Sequence, residues 1–317
     1  MPDTMTTDGP AAVAEEALAG LTATPKTLPP KLFYDTEGVR LFGEITRLPE
    51  YYLTRTETAL LTAIAPELAA IAPVGSALVE FGASDEAKAL MLLGAAGARF
   101  GAFVPVDVAG PALKAMQARL RRLLPGLAMH PVRADFSLPF ELPPAVAVLP
   151  KYGFFPGSTI GNFTPGEAAD FLGQQRAVLG EDAWLVVGAD LRKDPDLLLP
   201  AYDDAAGVTA AFNLNLLHRL NREAAADFDP ARFSHRAIWN DAESRIEMHL
   251  VSRVAHSVSV AGQRISFAAG ETIHTENSYK HSVAALRGLA AQAGWMVAKI
   301  WTDPAGLFAI LALRPTG

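Results

Sequence analysis

Between residues 76 and 190, short apolar runs take turns with amphipathic helical stretches, and this alternation limits the fold more than any other feature of the chain. SALVEFG, FGAFVPVDV and AMHPVRADF read as strands, with DEAKALMLLGAAG and GPALKAMQARLRRLL as helices between them. AVAVLPKYGFFPGSTIG and DAWLVVGAD add two more strand-like runs, separated by the helical PGEAADFLGQQRAVLG. Strands joined by helices pair in parallel through right-handed crossovers, so the pattern predicts an α/β protein built on a doubly wound parallel sheet.

The alternation stops after Asp190. Residues 193 to 280 hold a long helical stretch, AYDDAAGVTAAFNLNLLHRLNREAAADF, followed by ESRIEMHLVSRVAHSVSVAGQRISF. In the second of these, apolar and polar residues alternate at period two, as in a half-exposed antiparallel pair. The α/β pattern then returns, with SVAALRGLAAQAG as a helix, WMVAKIWTD as a strand and LFAILALRP as a last strand after the DPAG turn. An α+β domain inserted into the first accounts for this order. The predicted division is 56–192 with 281–317 for the sheet domain, and 8–55 with 193–280 for the second, substrate-binding domain. Near the N-terminus, about twenty residues read as a mobile arm leading into a short helix, which the prolines of KTLPPKLFYD break. In TRTETALLTAIAPELAAIAP, Thr54 or Thr56 is placed to cap a helix that ends near Pro66 or Pro73.

Composition narrows the function. A net charge of -7 with no long basic run leaves no electrostatic footprint for nucleic acid or an anionic membrane. The absence of cysteine removes disulfides, thiolate metal sites and cysteine nucleophiles together. An acidic N-terminal stretch without an apolar h-region, and no apolar run long enough to span a bilayer, predict a cytoplasmic protein.

In an open α/β sheet, ligands bind beyond the carboxyl ends of the strands, so the informative residues follow each strand. After the first come Glu80 and Gly82, with Lys88 in the opening helix; after the second comes Asp107. After the third come Asp135 and Phe136, and after the fourth the loop GSTIGN, Gly157 to Asn162. An acid ending the second strand suits the two hydroxyls of a ribose, and an Asp-Phe pair ending the third suits an adenine amino group and its ring. Together they describe an adenosine-shaped slot. Singly, each has a plainer reading: Asp107 as a helix cap, Asp135 as a solvated loop residue and Phe136 as core.

Two clusters lie outside the predicted sheet. FYDTEGVRLFGEITRLPEYYLTRTE places Tyr34, Tyr51 and Tyr52 in a loop-rich entry region, where binding groups concentrate. HTENSYK, residues 274 to 280, offers Glu276, Asn277 and Ser278, and on its own it also reads as a solvated connector. Histidines 218, 249, 256, 274 and 281 show no ligand pair beside a suitable carboxylate, and His130 and His235 stand alone, so no metal is expected. No GxSxG elbow, Walker A loop or G-x-G-x-x-G is present, which argues against an α/β-hydrolase, a P-loop enzyme and a nicotinamide-dependent dehydrogenase.

Taken together, TPKTLPPKLFYD, EITRLPEYYLTRTE, GSTIGNFTP, AYDDAAGVTAAFN, RIEMHL, TENSYK and WTDPAGLFAI give the chain, from about residue 20 onward, the look of a known family. It resembles the S-adenosylmethionine-dependent L-histidine Nα-methyltransferases of ergothioneine biosynthesis. The resemblance implies a Rossmann-like class I methyltransferase sheet, with a second domain built from the N-terminal segment and the insert. It implies S-adenosylmethionine as cofactor, held by Gly82, Lys88, Asp107, Asp135 and Phe136. It also implies L-histidine as the small-molecule partner, held by Tyr51, Asn162, Tyr202, Met248, Glu276, Asn277 and Ser278. Glu276 and Ser278 would bond the imidazole, Asn162 and Tyr202 the carboxylate, and Tyr34 would stand near the amine as the catalytic group. The expected enzyme is monomeric and binds neither nucleic acid nor membrane.

The departures from the family are local. Where its loop often reads GSGTSEK, this chain reads GASDEAK, so Ser84 replaces a glycine and Asp85 adds a charge. Two other readings stay open at this point. The same fold could methylate another amino acid or a histidine derivative, or the chain could be a non-catalytic adenosine-binding module.

Overall fold

The computed structural model describes residues 9–83 and 85–316. The start of the N-terminal arm and Ser84 therefore lie outside the described residues. Chain contacts separate two compact units: Met1–Tyr52 with Asp194–Ser278, and Leu53–Lys193 with Tyr279–Gly317.

In chain order the elements begin with helix α1 (Pro10–Leu21), strand β1 (Lys26–Thr27), and helices α2 (Thr36–Ile45) and α3 (Tyr52–Ile71). They continue as β2 (Ser76–Phe81), α4 (Ala87–Ala96), β3 (Phe100–Asp107), α5 (Gly110–Leu123), β4 (Ala128–Met129), β5 (Val132–Arg133) and α6 (Pro144–Ala147). Next come β6 (Lys151–Phe155), α7 (Pro165–Leu179), β7 (Trp184–Asp190), α8 (Pro195–Tyr202) and α9 (Val208–Glu223). The remainder is β8 (Phe233–Asn240), β9 (Arg245–Ser252), β10 (His256–Val260), β11 (Gln263–Phe267), β12 (Thr272–Tyr279), α10 (Val283–Gln292), β13 (Trp295–Thr302) and β14 (Phe308–Pro315).

The unit containing β2 carries a doubly wound sheet with the order β13-β14-β7-β6-β2-β3-β4, where β5 also pairs with β3. Strands β3, β2, β6 and β7 run parallel, while β14 is antiparallel to both β7 and β13. The chain builds outward from β2 in one direction and then from β6 in the other, so β2 and β6 flank the topological switch point. All six residues of β2 are buried because both faces of the sheet are covered. Ala77, Val79 and Phe81 pack toward Phe171, Leu172 and Leu289, while Leu78 packs toward Leu60, Leu68 and Leu92. Helices laid on both faces by alternate crossovers produce this arrangement.

The other unit carries the sheet β1-β12-β9-β8 and a separate β10-β11 hairpin. Strand β8 pairs antiparallel with β9 in full register, and β1 adds to β12 in parallel, Lys26 opposite Ile273. Helix α9 packs on β8 and β9 and carries α1 and α2 on its flanks.

The structure differs from the sequence reading at several places, each with a local cause. AMHPVRADF is two short strands rather than one, split around His130 and Pro131. AVAV is a helical turn, because Pro144 takes a first-turn position that needs no N–H, and the strand begins only at Lys151. Helix α3 starts at Tyr52, so Thr54 and Thr56 lie inside it, and it runs through Pro66 to Ile71. The long helical stretch is broken into α8 and α9, with Asp204 accepting from the backbone N–H groups of Val208 and Thr209 to start the second helix. Strand β9 pairs with β8, not with β10, and HTENSYK is most of a largely buried strand, not a connector.

Candidate active site

One cluster of candidate residues surrounds the turn from β2 into α4. Gly82 adopts φ +74°, a left-handed conformation that favours glycine, and its N–H donates to Val106 O at 2.9 Å, which ties the turn to β3. The ring of Phe136 lies over this turn: a Cβ built on Gly82 would stand 3.4 Å from Phe136 Cε1. Phe136 is held edge-on by Phe155 and Phe171, with ring centroids 5.7 and 6.0 Å away. Asp85 caps α4, its Oδ1 accepting from Ala87 N at 2.8 Å. Asp107 ends β3 with Oδ1 accepting from Ala109 N at 2.8 Å, and burial raises its carboxyl above the ordinary range against that bond. Asp135 Oδ1 accepts from Ser137 N at 3.0 Å and from Ser137 Oγ at 2.5 Å.

Sequence reasoning missed the residue that organises this cluster. Glu57, on α3, is 1 % exposed; its Oε1 accepts from Gly157 N at 2.7 Å and its Oε2 pairs with Lys88 Nζ at 2.6 Å. One buried carboxylate thus joins the opening of α4 to the loop after β6. That loop needs Gly157, at φ +84°, whose Cβ would come 3.3 Å from Lys88 Nζ, and it ends in the single-turn helix Thr159–Asn162 that carries Asn162. The signal was present in the sequence. Leu53, Glu57, Leu60, Ile64 and Leu68 repeat at helical spacing, and a lone acid on an apolar stripe must be paired.

Glu80 is the second buried acid here, 2 % exposed, with Oε2 lacking a hydrogen-bond partner. Burial, reinforced by Asp85, pushes its carboxyl well above its ordinary value. The folded state therefore favours the neutral acid, and its contribution to stability is lost as pH rises from the unfolded value toward the raised folded one. Glu80→Gln is accordingly expected to raise the melting temperature of the ligand-free protein near neutral pH, with the gain shrinking as pH falls toward 4.5. A thermal melt series across pH checks this; a gain that does not vary with pH contradicts the assignment.

A second cluster of candidate residues lies in the other unit. Tyr51 and Tyr202 are both buried, their rings meeting at 6.3 Å near the perpendicular, and the Tyr202 hydroxyl shares a 2.8 Å hydrogen bond with Ser278 Oγ on β12. Tyr34 stands edge-on to Phe42 at 5.9 Å, and Phe42 in turn meets Tyr51 at 6.3 Å. These contacts connect Tyr34, Tyr51, Tyr202 and Ser278 within one side-chain cluster. Met248, 2 % exposed on β9, lies beside β12, where Thr275 Oγ1 donates to its carbonyl at 3.0 Å. Glu276 precedes Ser278 by two residues on β12, and Asn277 between them leaves Oδ1 buried without a hydrogen-bond partner.

The reading of isolated histidines is corrected in the same unit. His249 and His274, distant in sequence, stack at 4.7 Å because β9 and β12 are adjacent strands, and Glu247 lies beside them. Burial lowers both imidazoles below their ordinary value. Burial works to raise Glu247, but hydrogen bonds from Asn240, Arg245 and His249 outweigh it and bring the carboxyl down to about 2.

The first cluster fits an adenosine-bearing cofactor on its own features. It offers a turn covered by an aromatic ring, an acid at the end of β3, a buried carboxyl with one unpartnered oxygen at the end of β2, and a lysine fixed by its ion pair with Glu57. Among the described residues no helix is long and apolar enough to cross a membrane.

Residues 13–315 match the family described as histidine-specific methyltransferase, SAM-dependent. A histidine N-alpha-methyltransferase of Mycolicibacterium smegmatis is 44% identical over 308 residues, covering 96% of this chain and 95% of that protein. One of Mycobacterium tuberculosis is 42% identical over 310 residues, covering 95% and 94%. Ergothioneine biosynthesis protein 1 of Neurospora crassa is 33% identical over 210 residues, which are 62% of this chain and 23% of that protein.

Proposed function

The chain belongs to the histidine-specific, S-adenosylmethionine-dependent methyltransferase family, and on that premise we propose that it methylates the α-amine of L-histidine to give the trimethylated betaine hercynine, a step of ergothioneine biosynthesis. The match across residues 13–315 carries the reading.

When bound, S-adenosylmethionine supplies a methyl group on a sulfonium, an electrophile with a built-in leaving group. What remains for the protein is to bind, orient and exclude water, and positioning is the main catalytic effect expected of it. Asp107 takes the ribose hydroxyls, Asp135 and Phe136 the adenine, and Gly82 leaves the turn open for close approach. Lys88 takes the cofactor carboxylate. Its ion pair with Glu57 supports that role, because a lysine already fixed loses less freedom on binding.

For L-histidine, Glu276 and Ser278 bond the two imidazole nitrogens, with Asn277 and Met248 lining the same stretch. Asn162, Tyr202 and Tyr51 hold the carboxylate and amine in one orientation, and Tyr34 stands near the amine. The hydrogen bond between Tyr202 and Ser278 supports this reading, since it couples a residue proposed for one end of the substrate to one proposed for the other. The amine must reach the site neutral, and the hydroxyl of Tyr34 accepts a hydrogen bond from it in this reading. The enzyme acts as a cytoplasmic monomer and needs no nucleic acid or membrane.

The test is to incubate the protein with S-adenosylmethionine and each of the twenty amino acids and read the products by mass. Histidine alone is expected to gain methyl groups, up to three. Gain on another amino acid with none on histidine moves the function to that substrate, and cofactor binding without turnover on any amine makes the chain a binding module.

A further inference from the structure

The cluster of Glu247, His249 and His274 has no part in the proposed transfer of a methyl group, and its donor set has a chemistry of its own. Each residue offers one ligand atom, and the three atoms lie within 4.8 Å of one another. Glu247 and His249 are buried and His274 is half-buried. The geometry points to a binding site for a divalent first-row transition ion of the imidazole-preferring kind, held by Glu247, His249 and His274 on adjacent strands β9 and β12.

Four features carry this. First, two imidazoles and one carboxylate are a donor set that suits Zn2+, Co2+ or Fe2+ and leaves positions for water. Second, one pair is already at ligand spacing: Glu247 Oε2 and His249 Nε2 are 3.1 Å apart, close to the separation of about 3.3 Å for two donors around a tetrahedral Zn2+. His274 Nε2 meets Glu276 O at 3.1 Å and its ring stacks on His249, so it joins them by giving up that contact. Third, the carboxylate is oriented from behind. Its Oε1 accepts from Asn240 Nδ2 at 2.9 Å and from Arg245 Nε at 2.8 Å and pairs with Arg245 Nη2 at 2.6 Å, while Oε2 faces His249. Ligating carboxylates in metal sites are supported in this way. Fourth, the three residues stand on adjacent strands β9 and β12, which hold their backbones in place.

Arg245 and, farther off, Arg236 place positive charge near the cluster. That charge weakens any cation held by charge alone, so Mg2+ and Ca2+, which prefer oxygen ligands, are excluded in favour of an ion bound through nitrogen. None of the three ligands is among the residues proposed for L-histidine, and His274 touches Glu276 only at its backbone carbonyl, so metal binding in the absence of histidine tests the site apart from the methyl-transfer reading.

The probe is Co2+, whose visible bands report imidazole coordination, added to full-length protein stripped with a chelator and free of histidine. One equivalent is expected to give those bands, and one equivalent of Zn2+ to abolish them. Glu247→Gln and His249→Gln are each expected to weaken Co2+ by more than the roughly 10–100-fold that loss of a mere supporting partner costs. A wild-type circular-dichroism spectrum and a cooperative thermal melt of each metal-free variant show that it has folded. No band in the wild-type protein overturns the proposal whatever the variants do, and a band that persists in both folded variants assigns Co2+ to other histidines and overturns it equally.

Discussion

Replacing Asp190 by asparagine is expected to destabilise the protein by about 3–5 kcal/mol, the cost of removing one partner from a buried ion pair. Asp190 ends β7 fully buried, with Oδ1 2.6 Å from Lys193 Nζ and Oδ2 2.9 Å from Lys280 Nζ. The two lysine side chains are themselves 7% and 0% exposed. Asparagine keeps the shape and removes the carboxylate that faces both lysines, which leaves two ammonium groups with less compensating charge in low dielectric. The protein's remaining response is to deprotonate them. Lys193 is already disposed to do so, since burial pulls it down to about 8 even with Asp190 present. Without the carboxylate, folding favours neutral lysines more strongly, so the deficit is greatest at low pH and narrows as pH approaches the ordinary lysine range of about 10. Denaturant titrations of both proteins across that range check the prediction. A loss below about 1 kcal/mol, in the range of an exposed pair, contradicts it.

Glu276→Ala is expected to lower kcat/KM for L-histidine by about 10- to 150-fold, the equivalent of one charge-assisted hydrogen bond worth 1.5–3 kcal/mol. Cofactor affinity is expected to stay unchanged, because the residues proposed for S-adenosylmethionine lie on other elements. Discrimination against amino acids without an imidazole is expected to narrow by the same factor, since a site built around a hydrogen bond rejects ligands that leave it unmade. Steady-state kinetics with histidine and a nonpolar competitor, beside calorimetry with the cofactor, separate the outcomes. An equal loss for every amino acid would make Glu276 a structural residue and return the specificity question to Ser278 and Met248.

The sheet unit was legible because a buried parallel strand writes a continuous apolar run and a crossover helix writes a period of 3.6. SALVEF and WLVVGAD are such runs, and both are strands as read. The insert was harder, because its strands earn their burial from neighbours distant in sequence. Nothing within HTENSYK signals that β9 and β1 will flank it. His249 and His274 met for the same reason. Gly82 and Phe136 were read as ends of separate strands, and their contact follows from the pairing of β2, β3 and β5. Glu57 was legible in principle, since a charge on the apolar stripe of α3 demands a partner, but the identity of Lys88 and Gly157 as those partners is a tertiary fact.

The placement of β14 has a consequence for biosynthesis. In the finished sheet β7 lies between β6 and β14, yet β14 follows β7 in the chain only after the whole segment 194–307. Throughout the translation of that segment, β7 has one neighbour and presents the free N–H and C=O groups of an apolar strand to the cell, the form most prone to pair with another chain. Nascent polypeptide halted within the insert should therefore recruit chaperones that the released enzyme does not need.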